Sequence, residues 1–251
     1  MNRADENALA ERARFLQTVR IFEQLSAPAL LDVARRCRLR RVERGEFVFL
    51  EGDRARAVQV LFEGQVKVVR ETEDGREVII RIIQPGEIFG GAGGWGREDY
   101  PATAITLEYS SILELPSDDF AALMGDYPDF ALALVRELGI RLREAESRIQ
   151  ELQTERVERR IARTLLRLAN KTGTKTARGI EIGVPLSRQD LAELCGTTLS
   201  TASRILSAWH RQGIIVAGRE RVTIRHAHRL VAIAEDFAVD EEADGNEPAL
   251  P

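Results

Sequence analysis

Five glycines fall at Gly45, Gly52, Gly64, Gly75 and Gly86, at spacings of 7, 12, 11 and 11 residues. Around them lie short β-rich pieces between Val42 and Leu115: FVFL, VQVLF, VKVV, EVIIRII, TAITL and SILEL. β-branched residues favour the pleated strand, and glycine supplies the positive φ that tight turns require. Strands this short, at such even intervals, leave no room for helices between them. They predict a small antiparallel barrel or double-sheet roll of the jelly-roll type. Asp74-Gly75 ahead of REVII reads as a hairpin turn. The pieces share no side-chain signature, which argues against a solenoid.

Helical periodicity flanks this β-rich block. Residues 9–40 read as helical, with Phe15, Val19, Leu30, Leu31 and Val33 at helical spacing. After PSDDFAALMGDYPDF, Pro128 opens a long helix at a position proline tolerates. Its apolar seam runs Val135, Leu138, Leu142, Ala145, Ile149 and Leu152, at spacings of 3, 4, 3, 4 and 3. A heptad stripe asks for a helical partner, in the same chain or, as a dimer interface, in a second copy. One helix laid on the roll gives the same stripe. A break near Thr154 to Val157 precedes the amphipathic ERRIARTLLRLAN, and KTGTKTARG reads as a basic loop. The expected organisation is a β-roll domain with N-terminal helices over 1–127, the long helix over 128–156 and a further domain over 157–234. Residues 235–251 form an acidic tail with few packing residues, expected to be disordered.

The chain has 251 residues and 44% hydrophobic content, enough for one large or two ordinary domains with a real core. No apolar run approaches the length of a membrane span, and MNRADENALAERARFLQ has no signal core. Two distant cysteines, Cys37 and Cys195, fit a reducing cytoplasm. A net charge of −4 conceals a division. Arg156 to Arg229 carries 15 Lys/Arg against 5 Asp/Glu, a local +10. Residues 1–155 hold 21 against 28, and Leu230 to Pro251 holds 7 acids and no base. A basic block inside an acidic chain points to one domain that meets a polyanion.

Within that block, PLSRQDLAELCGTTLSTASRILSAWHRQGII holds two short amphipathic runs around a tight corner. Ser187 is placed to cap the first helix, with Asp190 three residues on. Leu191 and Leu194 face a core, Gly196 can end the helix, and Thr197 or Thr198 can cap the second. Ala202, Ile205, Leu206 and Trp209 form its buried stripe; Leu199, Ser200, Ser203 and Arg204 lie on or beside the other face. This is a helix-turn-helix. GIIVAGRERVTI then reads as a β-hairpin wing tipped by Arg219 and Arg221. A helix fits the DNA major groove, arginine grips guanine O6 and N7, and hydroxyls reach phosphates or bases. The expected DNA-contact set is Ser187, Arg188, Thr198, Leu199, Ser200, Thr201, Ser203, Arg204, Arg219 and Arg221.

From about residue 15 to 233 the chain resembles the CRP/FNR superfamily of bacterial transcription regulators, of which the cyclic-AMP receptor protein is one type. The resemblance rests on GEFVFLEGDRARAVQVLFEGQVKVVRETEDGREVIIRIIQPGEIFG, on RIARTLLRLA and on LSRQDLAELCGTTLSTASRIL. It implies an α+β architecture: a cyclic-nucleotide-binding-like β-roll sensor, a dimerisation helix and a winged helix. It also implies a cytoplasmic homodimer on a pseudo-palindromic operator that recruits RNA polymerase as an activator.

The sequence departs from the receptor pattern where the ligand is held. Gly90-Gly91 stands for the family's Gly-Glu, Pro101-Ala102 for its Arg-Ser, and Ala145-Glu146 for the Thr-Ser pair that meets the adenine. A buried phosphate needs a cationic or many-donor cradle, and proline lacks even its N–H. Cyclic AMP in the usual mode is therefore not expected. An iron–sulfur cluster needs four thiolates, and Cys37 stands alone in the sensor half. The three histidines, His210, His226 and His228, all lie in the DNA half, which argues against a haem ligand in the sensor. No cofactor or metal is expected. An unidentified small effector would sit near Gly90, Gly91, Trp95, Arg97, Thr103 and Ala145; the alternatives are control by abundance alone, or a redox- or gas-responsive regulator. On the recognition helix the Glu of both well-known types is Ser200, while Ser203-Arg204 is kept, so one guanine contact per half-site is expected. An enzyme is not expected: residues 1–209 hold no histidine for a cupin-type centre, and no nucleotide, zinc-protease or serine-hydrolase motif occurs.

Overall fold

A computed structural model describes residues 3–91 and 99–236. Two compact units, Met1–Arg148 and Ile149–Pro251, divide within one long helix. In the first, α1 (Arg3–Leu16) and α2 (Ala27–Arg36) precede strands β1 (Arg38–Val42), β2 (Phe47–Phe49), β3 (Ala57–Glu63), β4 (Val66–Glu71), β5 (Glu77–Ile83), β6 (Ile88–Phe89), β7 (Thr103–Thr106) and β8 (Ser110–Pro116). Two antiparallel four-stranded sheets form, β1-β8-β3-β6 and β2-β7-β4-β5. This is the expected roll.

Its core lies between the sheets: Val42, Val48, Phe49, Leu61, Val66, Ile83, Phe89, Ala104 and Ile112 pack together. A second cluster lies on the other face of the first sheet. There Val58, Val60, Leu113 and Leu115 meet Leu16, Phe22, Leu30, Val33, Phe120 and Phe130 from the helices. β3 and β8 are thus apolar on both faces, which is why VQVLF and SILEL read as runs rather than as alternation.

The five regularly spaced glycines all take positive φ, between 75° and 87°. Gly64 is constrained twice, since a Cβ there would lie 2.3 Å from Ser110 Oγ and 2.5 Å from the Tyr109 carbonyl oxygen. Asp74-Gly75 forms the expected hairpin: Gly75 N–H donates to Thr72 O at 2.8 Å, and Thr72 N–H to Arg76 O at 2.9 Å. The Thr72 hydroxyl and then the Arg76 guanidinium hold the Asp74 carboxyl below its usual range.

Three segments differ from expectation. Residues 9–40 are not one helical stretch. α1 stops at Leu16, turns bury Val19, Ile21 and Phe22, and α2 begins at Ala27 with Pro28 in its first turn. β1, of sequence RLRRV, was hidden by its arginines. KTGTKTARG is not a loop but the larger part of a hairpin, described below. Trp95, Arg97 and residues 237–251 lie outside the described residues.

After α3 (Ser117–Asp126), α4 runs from Pro128 to Thr154. Phe130 anchors its start, stacked on Phe22 at 5.4 Å between ring centroids. α5 (Val157–Thr172) follows after two residues, then β9 (Gly173–Thr176), β10 (Gly179–Ile182), α6 (Arg188–Leu194), α7 (Leu199–Arg211), β11 (Ile215–Gly218), β12 (Arg221–Ile224) and α8 (Ala227–Glu235). β9 and β10 join the wing in one sheet, ordered β11-β12-β10-β9. α8 packs on α5, fixed by Arg159 Nε donating to Ala234 O at 2.8 Å and by an Arg163–Glu235 ion pair at 3.3 Å.

Candidate nucleic-acid interface

Local chemistry builds the corner between α6 and α7. The Ser187 hydroxyl accepts from Asp190 N–H at 3.0 Å, and the Asp190 carboxylate accepts from Ser187 N–H at 3.0 Å. This reciprocal capping box starts α6. Gly196, at φ 59°, turns the chain. Thr198 then caps α7, its hydroxyl accepting from Thr201 N–H at 3.2 Å. Of the two candidate caps, Thr198 is the one used. Ala202, Leu206 and Trp209 are buried, as expected; Ile205 is half-buried.

The outer face of α7 carries Leu199, Ser200 and Arg204, all exposed, with Thr201 and Ser203 half-buried beside them. The Thr198 hydroxyl lies 3.0 Å from those of Ser200 and Thr201, and the three form one polar tip at the N-terminal end of the helix. Arg188 reaches across from α6 to the Ser207 hydroxyl at 3.3 Å. Arg219 is exposed at the wing tip, whereas Arg221 is paired with Glu181 at 3.2 Å. The expected contacts therefore lie on α7, the start of α6 and one hairpin, with Ser187 and Arg221 already engaged within the fold.

Buried Arg160 holds the corner from beneath. It donates to Cys195 O at 3.1 Å, Gly196 O at 3.1 Å and Glu155 O at 2.8 Å. The guanidinium thus meets carbonyls left over at two helix C-terminal ends, where positive charge is favoured. Sequence reasoning missed this residue. The signal was an arginine in register with Thr164 and Leu168 on the buried face of α5. Trp209 Nε1 donates to Glu158 at 3.1 Å, and Arg167 pairs with Glu151. Leu152 also packs on the corner: a Cβ at Gly196 would come within 2.9 Å of its Cδ2.

The β-roll holds a second set of polar groups. Gln59, 3% exposed, donates from Nε2 to Tyr100 Oη at 3.1 Å. That hydroxyl donates onward to Ala57 O at 2.9 Å, so it must accept from the carboxamide, which fixes the orientation of Gln59. Gln59 Oε1 lies against Gly90 and has no hydrogen-bond partner among the described residues. Arg81 donates to Glu87 at 3.0 Å; Arg141 donates to Glu137 at 2.9 Å and to Ile88 O at 2.8 Å. Burial lowers the Arg81 pKa, as does Arg141, against the pull of Glu87. None of these groups was expected. Of the expected effector residues, Thr103 accepts from Glu51 N–H at 2.9 Å and Ala145 is exposed on α4.

The family profile Cyclic nucleotide-binding domain matches residues 39–127, and Crp-like helix-turn-helix domain matches residues 159–233. The chain is 31% identical over 213 residues to the Cyclic AMP receptor protein of Thermus thermophilus, covering 84% of this chain and 95% of that one. It belongs to the CRP/FNR superfamily. The Global nitrogen regulator of a Synechocystis strain is 27% identical, covering 78% of this chain and 86% of its own. Among solved structures, FixK2 of Bradyrhizobium japonicum superposes with a TM-score of 0.70 at 25% identity, over 78% of this chain and 96% of that one. A CRP-family transcriptional regulator from Thermus thermophilus gives 0.68 at 27% identity, over 79% and 97%. CRP/FNR regulators are DNA-binding transcription regulators, and the corner at Gly196 lies within the Crp-like helix-turn-helix domain.

Among the described residues, the roll positions where the sequence departs from the receptor pattern, Gly90, Gly91, Pro101 and Ala102, carry no charged side chain. Gly91 supplies no carboxylate and Pro101 no N–H. The Arg81 and Arg141 guanidiniums are already matched by carboxylates. Gln59 turns an acceptor oxygen, not a donor, toward Gly90. Among the described residues no group of three or more His, Cys, Asp or Glu could hold a metal ion, and no helix is long and apolar enough to cross a membrane.

Proposed function

We propose that this CRP/FNR member is a cytoplasmic homodimer that activates transcription from a pseudo-palindromic operator by laying α7 in the major groove and the wing along the backbone. The observation that carries this reading is the outer face of α7: Leu199, Ser200 and Arg204, exposed on a helix whose other face is locked to α5 and α6. Arg204 would read one guanine, Leu199 would pack on a thymine methyl, and Ser200 would leave permissive the base pair that a carboxylate would restrict. Ser203, Thr201, Thr198, Arg188 and Arg219 would meet phosphates or neighbouring bases. Self-association is supported by Val135, Leu138, Leu142, Ile149 and Leu152, all exposed in a single stripe on α4. The stripe begins earlier than the sequence indicated, at exposed Leu132. Recruitment of RNA polymerase rests on the family relationship.

The sensor would respond to a ligand other than cyclic AMP in the receptor mode, or to none. A thiol switch at Cys37 has little support, since the residue is buried and its pKa is pushed up to about 12 by that burial. No chemistry of its own is assigned to the chain.

The test is a gel-shift and footprint on promoter fragments across a salt series, with and without cyclic AMP. A phosphate-contacting dimer loses affinity steeply and log-linearly as salt rises, protects two half-sites about 34 Å apart, and is unmoved by cyclic AMP. Salt-independent binding, or protection of a single half-site by a dimer, overturns the reading.

A further inference from the structure

The basic face of the second unit is charged unevenly, and the unevenness has a counterpart in the chain itself. On α5, Arg159 and Arg163 meet Glu155, Arg163 meets Glu235, and Arg167 meets Glu151. Three of the unit's carboxylates, Glu151, Glu155 and Glu235, thus pair on the α5 side, while Glu181 pairs with Arg221 beside the wing. Arg204 and Arg211 on α7, Arg219 at the wing tip and Arg225 after β12 are exposed, and none of the four forms an ion pair with a carboxylate among the described residues. Of these, Arg204 and Arg219 lie on the surface assigned above to DNA.

The sequence beyond α8 is of opposite sign. Residues 237–251 carry Asp240, Glu241, Glu242, Asp244 and Glu247, with no lysine or arginine. They leave from Asp236, whose position is fixed by the Arg159 and Arg163 contacts to the end of α8. A chain of about fifteen residues reaches at most about 50 Å when extended and spans roughly 21 Å as a flexible coil. A unit of this size has a radius of gyration of about 12 Å, and the five carboxylates, four to eleven residues beyond Asp236, reach about 13–40 Å from it when extended, so much of the unit's surface lies within reach. A tethered segment acts at an effective concentration in the millimolar range, enough for a weak charge-driven contact to be populated.

We infer that the acidic segment 237–251 docks on the α7–wing face of its own chain and competes with DNA for it. The inference rests on the DNA-binding reading of that face. The segment would act as a soft mimic of the phosphate backbone. It would hold off duplexes that offer only phosphates and yield to operators that also offer base contacts. Competition of this kind lowers specific and non-specific affinity by the same factor, so at a given concentration operators that also offer base contacts stay occupied while duplexes that offer only phosphates are released.

Three proteins test this: the intact chain, a chain ending at Asp236, and the intact length with Asp240→Asn, Glu241→Gln, Glu242→Gln, Asp244→Asn and Glu247→Gln. Binding to a mixed-sequence duplex of about 30 base pairs is measured from low to high salt. The shortened and neutralised proteins are expected to bind about tenfold tighter than the intact chain at low salt, converging within about twofold as charge is screened. Equal affinity of all three at low salt overturns the inference. A second readout needs no DNA. Cys37 and Cys195 are buried, so an Ala249→Cys variant takes a benzophenone label selectively. Its photocrosslinks should map to α7 and the wing and fade with added salt. Crosslinks confined to the sensor, to α5 or to a second copy in an isotope-mixed sample overturn it. Should no form bind any duplex, the DNA reading itself fails, and the crosslink map still decides whether the segment docks where proposed.

Discussion

Arg204 and Arg160 lie on opposite sides of the same corner and carry opposite consequences. Arg204 is exposed on the outer face of α7, and its removal should leave the fold intact while costing about 1–3 kcal/mol of operator binding and relaxing one base pair. Competition footprinting against base-substituted operators reads this directly; unchanged selectivity would remove Arg204 from the reading. Arg160 is buried, and its three carbonyl contacts tie the turn of the corner to the end of α4. Arg160→Ala should cost roughly 2–4 kcal/mol of unfolding free energy in urea, because charge-assisted hydrogen bonds vanish and buried carbonyls are left unmet. Lysine should not restore it, since one ammonium cannot span the fork. Cys37 supplies a pH test. Burial raises its pKa from 9.0 to about 12, with Arg12 opposing and Asp119 adding. The neutral thiol is favoured in the fold, so this contribution is complete below pH 9 and declines as pH rises toward 12. Between these limits the wild type should lose up to about 1.4 kcal/mol per pH unit more than a Cys37→Ala variant. Parallel stability–pH curves for the two would refute the buried-thiol assignment.

At the scale of elements, turns and caps were legible because they are written locally. Ser187 with Asp190, Gly196 and Thr198 each act on close chain neighbours. The five roll glycines divide by surroundings, which the sequence does not show. Gly64 and Gly86 share nearly the same φ, 87° and 84°, yet a Cβ at Gly64 meets Ser110 and Tyr109 while one at Gly86 meets nothing within 4 Å. Gly86→Ala should therefore cost only the backbone strain, about 1–2 kcal/mol. Gly64→Ala should cost distinctly more, because a backbone carbonyl must move as well. Thermal unfolding of the two variants orders them, and equal losses would contradict the contact. Elements without an apolar rhythm were not legible. β1 carries three arginines in five residues, β6 has two residues, and the whole of β9 is exposed at a sheet edge. Their pairing is imposed by β8, β3 and β10 rather than by their own side chains. The sensor's polar groups escaped notice for a related reason: Gln59, Arg81 and Arg141 are far apart in sequence and acquire meaning only when the sheets and α4 assemble.

For the molecule as a whole, the proposed pairing through the exposed stripe on α4 would set whether one or two recognition helices meet DNA. Val135 is 65% and Leu142 61% exposed, values that a long helix with a water-facing polar side would not place in register. Burying such side chains against a second copy is worth about 1.5–3 kcal/mol each when complete, and the seam supplies several per chain. Leu142 belongs to no buried cluster of its own chain among the described residues, so Leu142→Glu should leave unfolding of each protomer nearly unchanged while placing two carboxylates face to face in the seam. Sedimentation at micromolar concentration should then show single chains where the wild type shows pairs. Operator affinity should fall by about 10²–10⁴, the advantage that a second tethered reading head provides. Binding to an isolated half-site should be nearly unaffected, which separates lost pairing from a damaged α7. A Leu142→Glu protein that still sediments as a dimer would place the self-association surface elsewhere and return the stripe on α4 to an intramolecular role.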